Sequence, residues 1–306
     1  MYHIIVNPAS KSGLGIRKWH ELEDYLKKEM MTYTVYFTRK NKDATRIAAE
    51  ITASCASSPC QIIVLGGDGT MNEVVNGISD FEHTTLIYLP AGSSNDLARD
   101  LHIRSDVNLA IARAKQKTEP LSMDYGTITY GAHHVQNFLV SCGIGYDAAV
   151  CEAVFHAKAK SFLNRIGLGK LVYLYLGVKL LFKRTSVGCD LYLDDHSPIH
   201  FDGLMFAAFM IHRYEGGGFK FCPRADYHDG LLDICLVNNM RGGEIFRLLP
   251  LAFFGKHIHS PNVHIYRAKK IRIKTSDPLF VHTDGEICGK QTEITVTCHK
   301  NGLNYK

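Results

Sequence analysis

The chain has 306 residues, of which 46% are hydrophobic and 21% are charged, with a formal net charge of +5. This length allows two domains, since single hydrophobic cores stop growing at about 250–300 residues, and the composition is that of an ordinary globular protein. The small net charge does not by itself indicate a nucleic-acid partner, and the longest apolar run, residues 171–182, is too short to span a bilayer.

The first 124 residues alternate strand-like and helix-like patterns. Apolar runs typical of strands occupy residues 3–7, 33–38, 61–65 and 85–89. Between them, apolar residues recur at helical spacing, as in the series that begins at Ile16 and Trp19. Strands alternating with helices predict a doubly wound α/β domain with a parallel sheet. Ligands of such domains bind beyond the carboxyl ends of the strands.

The third strand is followed by the glycine-rich loop Gly66-Gly67-Asp68-Gly69-Thr70, which opens a helix-like segment. Glycines let the backbone approach a ligand closely, and a helix N-terminus offers unpaired N–H groups to a phosphate. A carboxylate in that position can hold Mg²⁺. The sequence therefore indicates a phosphate site, although a plain glycine turn with a solvated aspartate gives the same pattern.

A second polar loop, residues 90–96, follows the fourth strand and also leads into a helix-like segment. Its Ser93, Asn95 and Asp96 are candidates either for a helix N-cap or for ligand contact. Asn7 and Thr38 end the first two strands. Four loops thus converge on one edge of the predicted sheet, which favours phosphate and Mg²⁺ contact there.

From residue 125 onward, strand-like segments recur and predict an antiparallel β-sandwich or barrel. We expect domains at residues 1–124 and 125–306, packed closely with a cleft between them, and the C-terminal end either stays in the second domain or returns to the first. Helical insertions are expected at residues 146–184 and 243–254. The predicted strands are residues 125–130, 135–142, 189–193, 204–210, 232–237, 263–266, 270–274 and 293–298.

Several acids fall at predicted strand or loop ends. Asp68, Asp96 and Asp124 predict a metal network if they meet, because clustered carboxylates need a cation; otherwise they are solvated loop acids. Asp284 and Gly285 are typical of a hairpin turn, and the alternative is a carboxylate that deprotonates an acceptor hydroxyl.

Asp226 and Asp229 precede a further strand-like segment. They indicate either a turn or a set of oxygen ligands for a divalent ion.

Other chemistries lack their motifs in this sequence. No His/Cys set has zinc spacing, no Gly-x-Ser-x-Gly elbow occurs, and no phosphate loop with a Walker lysine is present. The nine cysteines form no Cys-x-x-Cys pair. We therefore expect reduced thiols in a cytoplasmic protein that has no secretory signal.

A basic, apolar segment lies in the second half of the chain. Residues 158–184 contain seven lysines and arginines and no acid. Such a segment suits an anionic membrane surface, and a core-packed helix with a solvated basic face gives the same pattern. RNA binding is a weaker hypothesis for this segment, because no aromatic residues arranged for base stacking accompany its positive charges.

Residues 66–77 resemble the signature of the diacylglycerol kinase catalytic-domain family, which includes bacterial soluble lipid kinases and the sphingosine and ceramide kinases. Gly-Gly-Asp-Gly-Thr alone is shared with NAD kinases, whereas the continuation through Asn72-Glu73 and Asn76-Gly77 is similar to the lipid kinase version. Further matches follow the family order at residues 7–13, 90–96, 143–148, 229–231 and 284–286.

The resemblance implies ATP and Mg²⁺ in a cleft between an α/β domain and a β-sandwich domain. It implies catalytic roles for Asp68, Asp284 and Glu286, with Glu286 as the base. It places structural Mg²⁺ on Asp226, Asp229 and the main chain of Leu231, and Mg²⁺ with water on Asp68, Asp96 and Asp124. The implied nucleotide-binding residues are Asn7, Thr38, Gly66, Gly67, Asp68, Gly69, Thr70, Asn72, Glu73, Gly92, Ser93, Asn95 and Asp96.

The resemblance therefore predicts an ATP-dependent lipid kinase that acts on the hydroxyl of a membrane lipid, with diacylglycerol as the expected acceptor. The alternatives are a soluble-metabolite kinase of the NAD kinase type and a non-catalytic lipid-binding regulator. As partners we expect a lipid substrate, peripheral association with the inner face of the membrane and no nucleic acid. A homodimer is compatible with the sequence.

Overall fold

The computed structural model describes residues 1–156, 187–240 and 242–306. These residues form two compact units: Met1–Tyr125 with Lys300–Lys306, and Gly126–His299. Among the helices of these ranges, none combines the length and apolar character needed to cross a membrane. The basic segment at residues 158–184, for which membrane contact and a core-packed helix are alternative predictions, lies outside the described residues. All nine cysteines are free thiols, as predicted.

The first unit is built on four parallel strands in the spatial order β4-β3-β1-β2. A short end of the chain, Asn304 and Tyr305, adds to β4, also in parallel. The strands are β1 (Tyr2–Val6), β2 (Tyr33–Phe37), β3 (Cys60–Gly66) and β4 (Thr84–Pro90). The helices are α1 (Leu14–Lys28), α2 (Asp43–Cys55), α3 (Asp68–Val75), α4 (Asp96–Asp100) and α5 (Val107–Lys115).

Helical periodicity explains how the helices pack. Trp19, Leu22 and Leu26 of α1 are buried at intervals of three and four residues, and they share one apolar cluster with Ala110 and Ile111 of α5. This stripe faces the sheet, whose strands are apolar on both sides because helices cover a parallel sheet.

Gly77 sets the distance between α2 and the end of α3. A Cβ atom at Gly77 would lie 2.1 Å from the carbonyl oxygen of Thr45, so only glycine permits this packing.

The strand order creates a switch point between β1 and β3. The chain moves from β1 to β2 on one side and then returns past β1 to form β3 and β4. In open α/β sheets, ligands bind in the crevice outside the carboxyl ends of the strands at such a switch point. The loops after β1 and β3 are therefore the loops of interest.

The second unit is an antiparallel β structure. β9 and β12 each pair with β8 along one part of their length and with β7 along another. Two apolar clusters form inside, one of which holds the fully buried Phe138 and Phe209. The strands are β5 (Leu121–Tyr130), β6 (His134–Phe138), β7 (Ser141–Gly145), β8 (Val187–Leu193), β9 (Ile199–Met210), β10 (Leu232–Asn238), β11 (Val263–Ala268), β12 (Lys270–Thr283) and β13 (Glu286–Tyr305). The residues of β5 up to Tyr125 and those of β13 from Lys300 onward belong to the first unit.

Among the described residues of this unit, two segments are α-helical: α6 (Tyr146–His156) and α7 (Gly242–Phe253). The helical insertion predicted at residues 146–184 begins with α6, and its part beyond residue 156 lies outside the described ranges.

One predicted strand is wrong. The apolar run at residues 135–142 was expected to be continuous, but it forms β6 and β7, which are separated at Leu139 and Val140. The N–H groups of these two residues donate to the carboxylate of Asp284 at 2.8 Å each. A side chain 144 residues away thus replaces the ladder bonds that a continuous strand would need.

Candidate functional site

The loops after β1, β2 and β3 start at one edge of the first unit's sheet. Asn7, directly after β1, donates from Nδ2 to Oγ1 of Thr70 at 3.0 Å, and its backbone N–H donates to the carbonyl oxygen of Leu65 in β3 at 2.9 Å. Thr38, directly after β2, donates its N–H to the carbonyl of Val6. These bonds bring the predicted Asn7, Thr38 and Thr70 to the switch point.

The loop after β4 contacts the glycine loop through backbone atoms. Ala91 donates its N–H to Gly66 O at 2.6 Å. A Cβ atom on Gly92 would lie 2.6 Å from Gly67 Cα, and one on Gly67 would lie 2.9 Å from Gly92 Cα. Glycine is therefore required at both positions for steric reasons, and the peptide groups of the two loops share one small surface.

Substitution of Gly92 by alanine should separate these loops. The added methyl group would overlap Gly67, and relieving such overpacking costs about 1–3 kcal/mol. We expect thermal unfolding to show the loss of stability, while Gly69→Ala, at a position where a Cβ meets nothing within 4 Å, should leave it nearly unchanged. Equal melting temperatures for the two variants would contradict the steric argument.

Asp68 is the first residue of α3 and is half-buried. Its Oδ2 accepts the backbone N–H of Asp96, at the start of α4, at 3.0 Å, and the hydroxyl of Tyr88 lies 3.5 Å from its Oδ1. Burial, together with the negative charge of Asp68, raises the pKa of Tyr88 well above its usual value. Tyr88 is thus a neutral donor. The carboxylate that would organise a phosphate-bound cation is held in place from two sides.

The loop after β4 is shaped by Asn95. This residue has a left-handed backbone conformation at φ 50°, and its Oδ1 accepts the N–H of Gly92 at 2.9 Å. The neighbouring Ser93 is exposed. The loop therefore keeps a fixed shape and presents a hydroxyl to solvent beside the glycine contact.

The three predicted magnesium acids of this unit do not meet as one cluster. Asp96 forms an ion pair with Arg99, and the fully buried Asp124 accepts the N–H of Asn301 at 2.7 Å. Within the described ranges, ligand atoms of three His, Cys, Asp or Glu residues lie within 4.8 Å of one another at two other places only. Simultaneous direct coordination by Asp68, Asp96 and Asp124 is therefore absent from this arrangement.

Two predicted nucleotide residues make contacts within α2 and α3. The carboxylate of Glu73 accepts the N–H of Ala44 in the first turn of α2 at 3.1 Å, which is a capping role. Asn72 is buried, and both its carbonyl and its Oδ1 accept from the side chain of Asn76. The Glu73 contact positions α3 against α2, and the Asn72 contacts close the C-terminal end of α3.

In the second unit, Asp284 and Gly285 form the two-residue turn between β12 and β13. Their φ values of 48° and 86° are those of a type I′ hairpin, so the turn prediction describes this backbone. The Asp284 carboxylate also accepts three backbone N–H groups, from Leu139, Val140 and Ser141, at 2.8–2.9 Å. Glu286, the first residue of β13, is half-buried.

An ionic cluster of one buried histidine and two partly buried carboxylates lies beside this turn. Nε2 of the fully buried His282 is 3.2 Å from Oδ2 of Asp147 and 3.3 Å from Oε1 of Glu215. Burial by itself lowers the pKa of His282, but the hydrogen bond to Asp147 and the charges of Glu215, Asp147 and Asp284 raise it to about 9. The N–H of Gly285 donates to the other ring nitrogen, Nδ1, at 3.3 Å. This contact favours the neutral ring, because a protonated histidine has no acceptor nitrogen, but it is long. A proton on Nε2 allows His282 to donate to these carboxylates.

This cluster makes stability depend on pH. His282 has a folded-state pKa of about 9 against an ordinary value of 6.5. Its contribution should therefore be complete below pH 6.5 and lost as the pH rises through 9. We expect the free energy of unfolding in urea to fall by a few kcal/mol between pH 7 and pH 10. A His282→Asn variant should lack most of this dependence, and an identical pH profile in that variant would exclude the cluster as its source.

An arginine from β11 contacts the turn that was predicted to hold a structural magnesium ion. Asp226 and Asp229 accept the N–H groups of His228 and Leu231 at 3.1 and 2.9 Å. Arg267 forms an ion pair with Asp229 and reaches Asp233 at 3.3 Å. The carboxylate donors suit Mg²⁺ chemically, but the guanidinium already supplies positive charge to Asp229.

Asp233 is the acid that the sequence did not single out at this turn. Burial, followed by the charge of Asp226, raises its pKa to about 6.

Two domain families account for most of the sequence. Residues 1–128 match the diacylglycerol kinase catalytic domain, and residues 140–303 match the YegS C-terminal NAD kinase beta sandwich-like domain. The second match alone covers more than half of the chain.

Individual proteins agree with these matches. "Putative lipid kinase YtlR" of Bacillus subtilis is 30% identical over 294 residues, which cover 94% of each chain. A diacylglycerol kinase of the same organism is 28% identical and is covered to 89% of its length. The crystal structure of a diacylglycerol kinase from Bacillus anthracis shares the fold with a TM-score of 0.68 at 20% identity, covering 99% of this chain and 95% of that one. The chain thus belongs to the diacylglycerol kinase-like lipid kinase family, in which a diacylglycerol kinase catalytic domain precedes a YegS-type β-sandwich-like domain.

Proposed function

We propose that the protein transfers the γ-phosphoryl group of ATP to the hydroxyl of a membrane lipid, and that diacylglycerol is the acceptor. Membership of a kinase family implies the use of ATP. The observation that carries the proposal is the position of Asp68: it opens α3 at the switch point of the sheet, between two loops whose glycine backbones are in contact.

This arrangement suits a triphosphate for electrostatic reasons. The N–H groups in the first turn of α3 have no partner inside the helix, and the positive end of the helix dipole lies there. The glycine backbones on either side let phosphate oxygens approach the peptide groups. Asn7 and Thr70, joined by a hydrogen bond, fix the position of the loop after β1 relative to this helix.

Magnesium fits the donor chemistry of Asp68, with Asp96 next to it. When bound, Mg²⁺ would neutralise part of the charge on the phosphates. Asp124 is committed to the main chain of Asn301, so we assign it to the position of the C-terminal segment. At the second unit's turn, Asp226, Asp229 and the carbonyl of Leu231 are the groups that would hold a structural Mg²⁺.

Glu286 is the proposed general base. As the acceptor oxygen attacks the γ-phosphorus, the bond from that phosphorus to the bridging oxygen breaks and ADP leaves, and the proton of the lipid hydroxyl would pass to the Glu286 carboxylate. Asp284 accepts three backbone N–H groups and thereby fixes the turn that carries Glu286. Of the two predicted catalytic acids in this part of the second unit, we therefore assign proton transfer to Glu286 and positioning to Asp284.

The choice of acceptor is supported by the names of relatives and opposed by one finding. Several relatives at 27–28% identity are named diacylglycerol kinase. The second domain match is described as NAD kinase beta sandwich-like, which favours a soluble nucleotide acceptor as the second candidate. A lipid substrate also implies peripheral contact with the inner face of the membrane.

One experiment separates the two acceptors. The purified protein is incubated with γ-labelled ATP and Mg²⁺, and either diacylglycerol in detergent micelles or NAD in buffer is supplied. An organic-extractable labelled product, absent with Asp68→Asn, would support the lipid kinase. Labelled phosphate on NAD, which stays in the aqueous phase, would favour the soluble nucleotide acceptor over the lipid. Transfer to neither acceptor would reject both candidate functions.

A further inference from the structure

Helix α7 is apolar on two sides. Its inner side contributes the buried Ile245, with the partly buried Leu248 and Leu249, to an apolar cluster of the second unit, and Ala252 on the same side is buried as well. Its outer side is also apolar. Large side chains are exposed there and in the residue that follows the helix: Phe246 by 46%, Leu251 by 39%, Phe253 by 49% and Phe254 by 69%.

This outer side differs from the rest of the described surface. A helix that is apolar all round normally lies inside a protein or against an apolar phase, and contiguous exposed apolar patches mark interaction sites. Elsewhere in the described ranges, exposed large apolar side chains are isolated in the sequence. They are Met1, Met30, Phe37, Leu109, Leu121, Val135 and Ile265.

Cations accompany the exposed aromatic residues. Arg247 and Lys256 are exposed on the same segment. Both line an open cavity of about 340 Å³, together with Leu251 and His259, and Glu244 is the acid in its wall. Aromatic side chains with basic residues beside them are typical of segments that lie on an anionic bilayer.

The C-terminal end of α7 is held in place by backbone hydrogen bonds and by a ring contact with Phe219. Lys220 donates its N–H to Ala252 O at 3.0 Å, and Lys256 donates to Leu251 O at 2.8 Å. The ring of Phe253 stands edge-on to that of Phe219 with centroids 5.9 Å apart. Membrane contact would therefore require little further ordering of this segment, which favours binding.

We propose that this surface, the α7 surface, docks on a bilayer that contains anionic phospholipid; the proposal deepens the proposed function and rests on it. The α7 surface consists of Phe246, Arg247, Leu251, Phe253, Phe254 and Lys256. The aromatic rings enter the boundary between headgroups and acyl chains, and the two cations face lipid phosphates.

Vesicle binding without ATP tests the docking. Full-length protein is sedimented with phosphatidylcholine vesicles that contain or lack phosphatidylglycerol. We expect binding that needs the anionic lipid and falls about tenfold in Phe253→Ser/Phe254→Ser. The matched control is Val135→Ser, which changes a side chain of the same unit that is 66% exposed.

A charge reversal provides a second and milder variant. Lys256→Glu should weaken binding to anionic vesicles several-fold, while Lys117→Glu, at another exposed lysine, should have little effect. Wild-type binding by both α7 variants would overturn the proposal, and so would a wild-type protein that does not sediment with anionic vesicles. A dimer in light scattering that dissociates in the α7 variants while vesicle binding persists would make the surface a self-association site and overturn it as well.

Kinase assays distinguish failure of docking from failure of the proposed function. With diacylglycerol in vesicles, the α7 variants should lose activity in proportion to binding, and in detergent micelles they should match the wild type. Lost activity in micelles, with the fold intact by circular dichroism, would place these residues in substrate binding and overturn docking. A wild-type protein that binds vesicles but transfers no phosphate in micelles would reject the proposed function and leave the docking result standing.

Discussion

Asp68→Asn should lower kcat for phosphoryl transfer by about a thousandfold or more while the protein remains folded. The change removes the negative charge and keeps the shape, and the amide oxygen can still accept the Asp96 N–H that Asp68 binds at 3.0 Å. The loss should therefore come from the chemistry of the site. It is measured by steady-state transfer of labelled phosphate at saturating ATP, with thermal unfolding in parallel.

A matched control for this variant exists in the same unit. Asp106 also lies at a helix N-terminus, where it accepts the N–H of Leu109 at 3.0 Å, and asparagine caps helices equally well. Asp106→Asn should keep wild-type activity. If Asp68→Asn also kept it, Asp68 would have no part in phosphoryl transfer. A raised KM for ATP with an unchanged kcat would restrict its role to binding.

The architecture was predictable because it depends on local patterns. Alternating strand and helix periods gave the first domain, recurrent short strands gave the second, and the two-domain order is confirmed. The glycine loop could be recognised from the sequence because Gly67 and Gly92 lie too close together for either residue to carry a side chain. Such a requirement leaves a mark in the sequence, since no other residue meets it.

Contacts between distant residues left no such mark. Asp147, Glu215 and His282 are separated by more than sixty residues each, and only the fold brings them together. Asp124 was grouped with Asp68 and Asp96 because all three fall at predicted strand or loop ends, yet Asp124 lies within β5 and its carboxylate accepts the N–H of Asn301 in the C-terminal segment. A carboxylate at such a position can bind a ligand or accept a backbone N–H, and the periodicity of the sequence does not distinguish the two roles.

Asp284→Ala should mainly lower stability and Glu286→Gln should mainly lower activity, although the two acids are only two residues apart. Asp284→Ala leaves the buried N–H groups of residues 139–141 without their acceptor, at about 1–3 kcal/mol each, and it places alanine at a φ of 48°. We expect the free energy of unfolding to fall by at least about 3 kcal/mol. Glu286→Gln should leave stability within about 0.5 kcal/mol of the wild type.

The activities of the folded variants should be ordered differently from their stabilities. Glu286→Gln removes the proposed base and should reduce kcat by about 10²–10⁴-fold. Asp284→Asn retains one oxygen that can accept from Val140 and Ser141, and it tolerates the left-handed turn, so it should be intermediate in stability and partly active. Urea denaturation and labelled-ATP assays on the same preparations measure both properties. Full activity in Glu286→Gln would remove the base assignment. Unchanged stability in Asp284→Ala would show that the hydrogen bonds of this carboxylate do not stabilise the break between β6 and β7. Asp284 would then again be a candidate for a catalytic role.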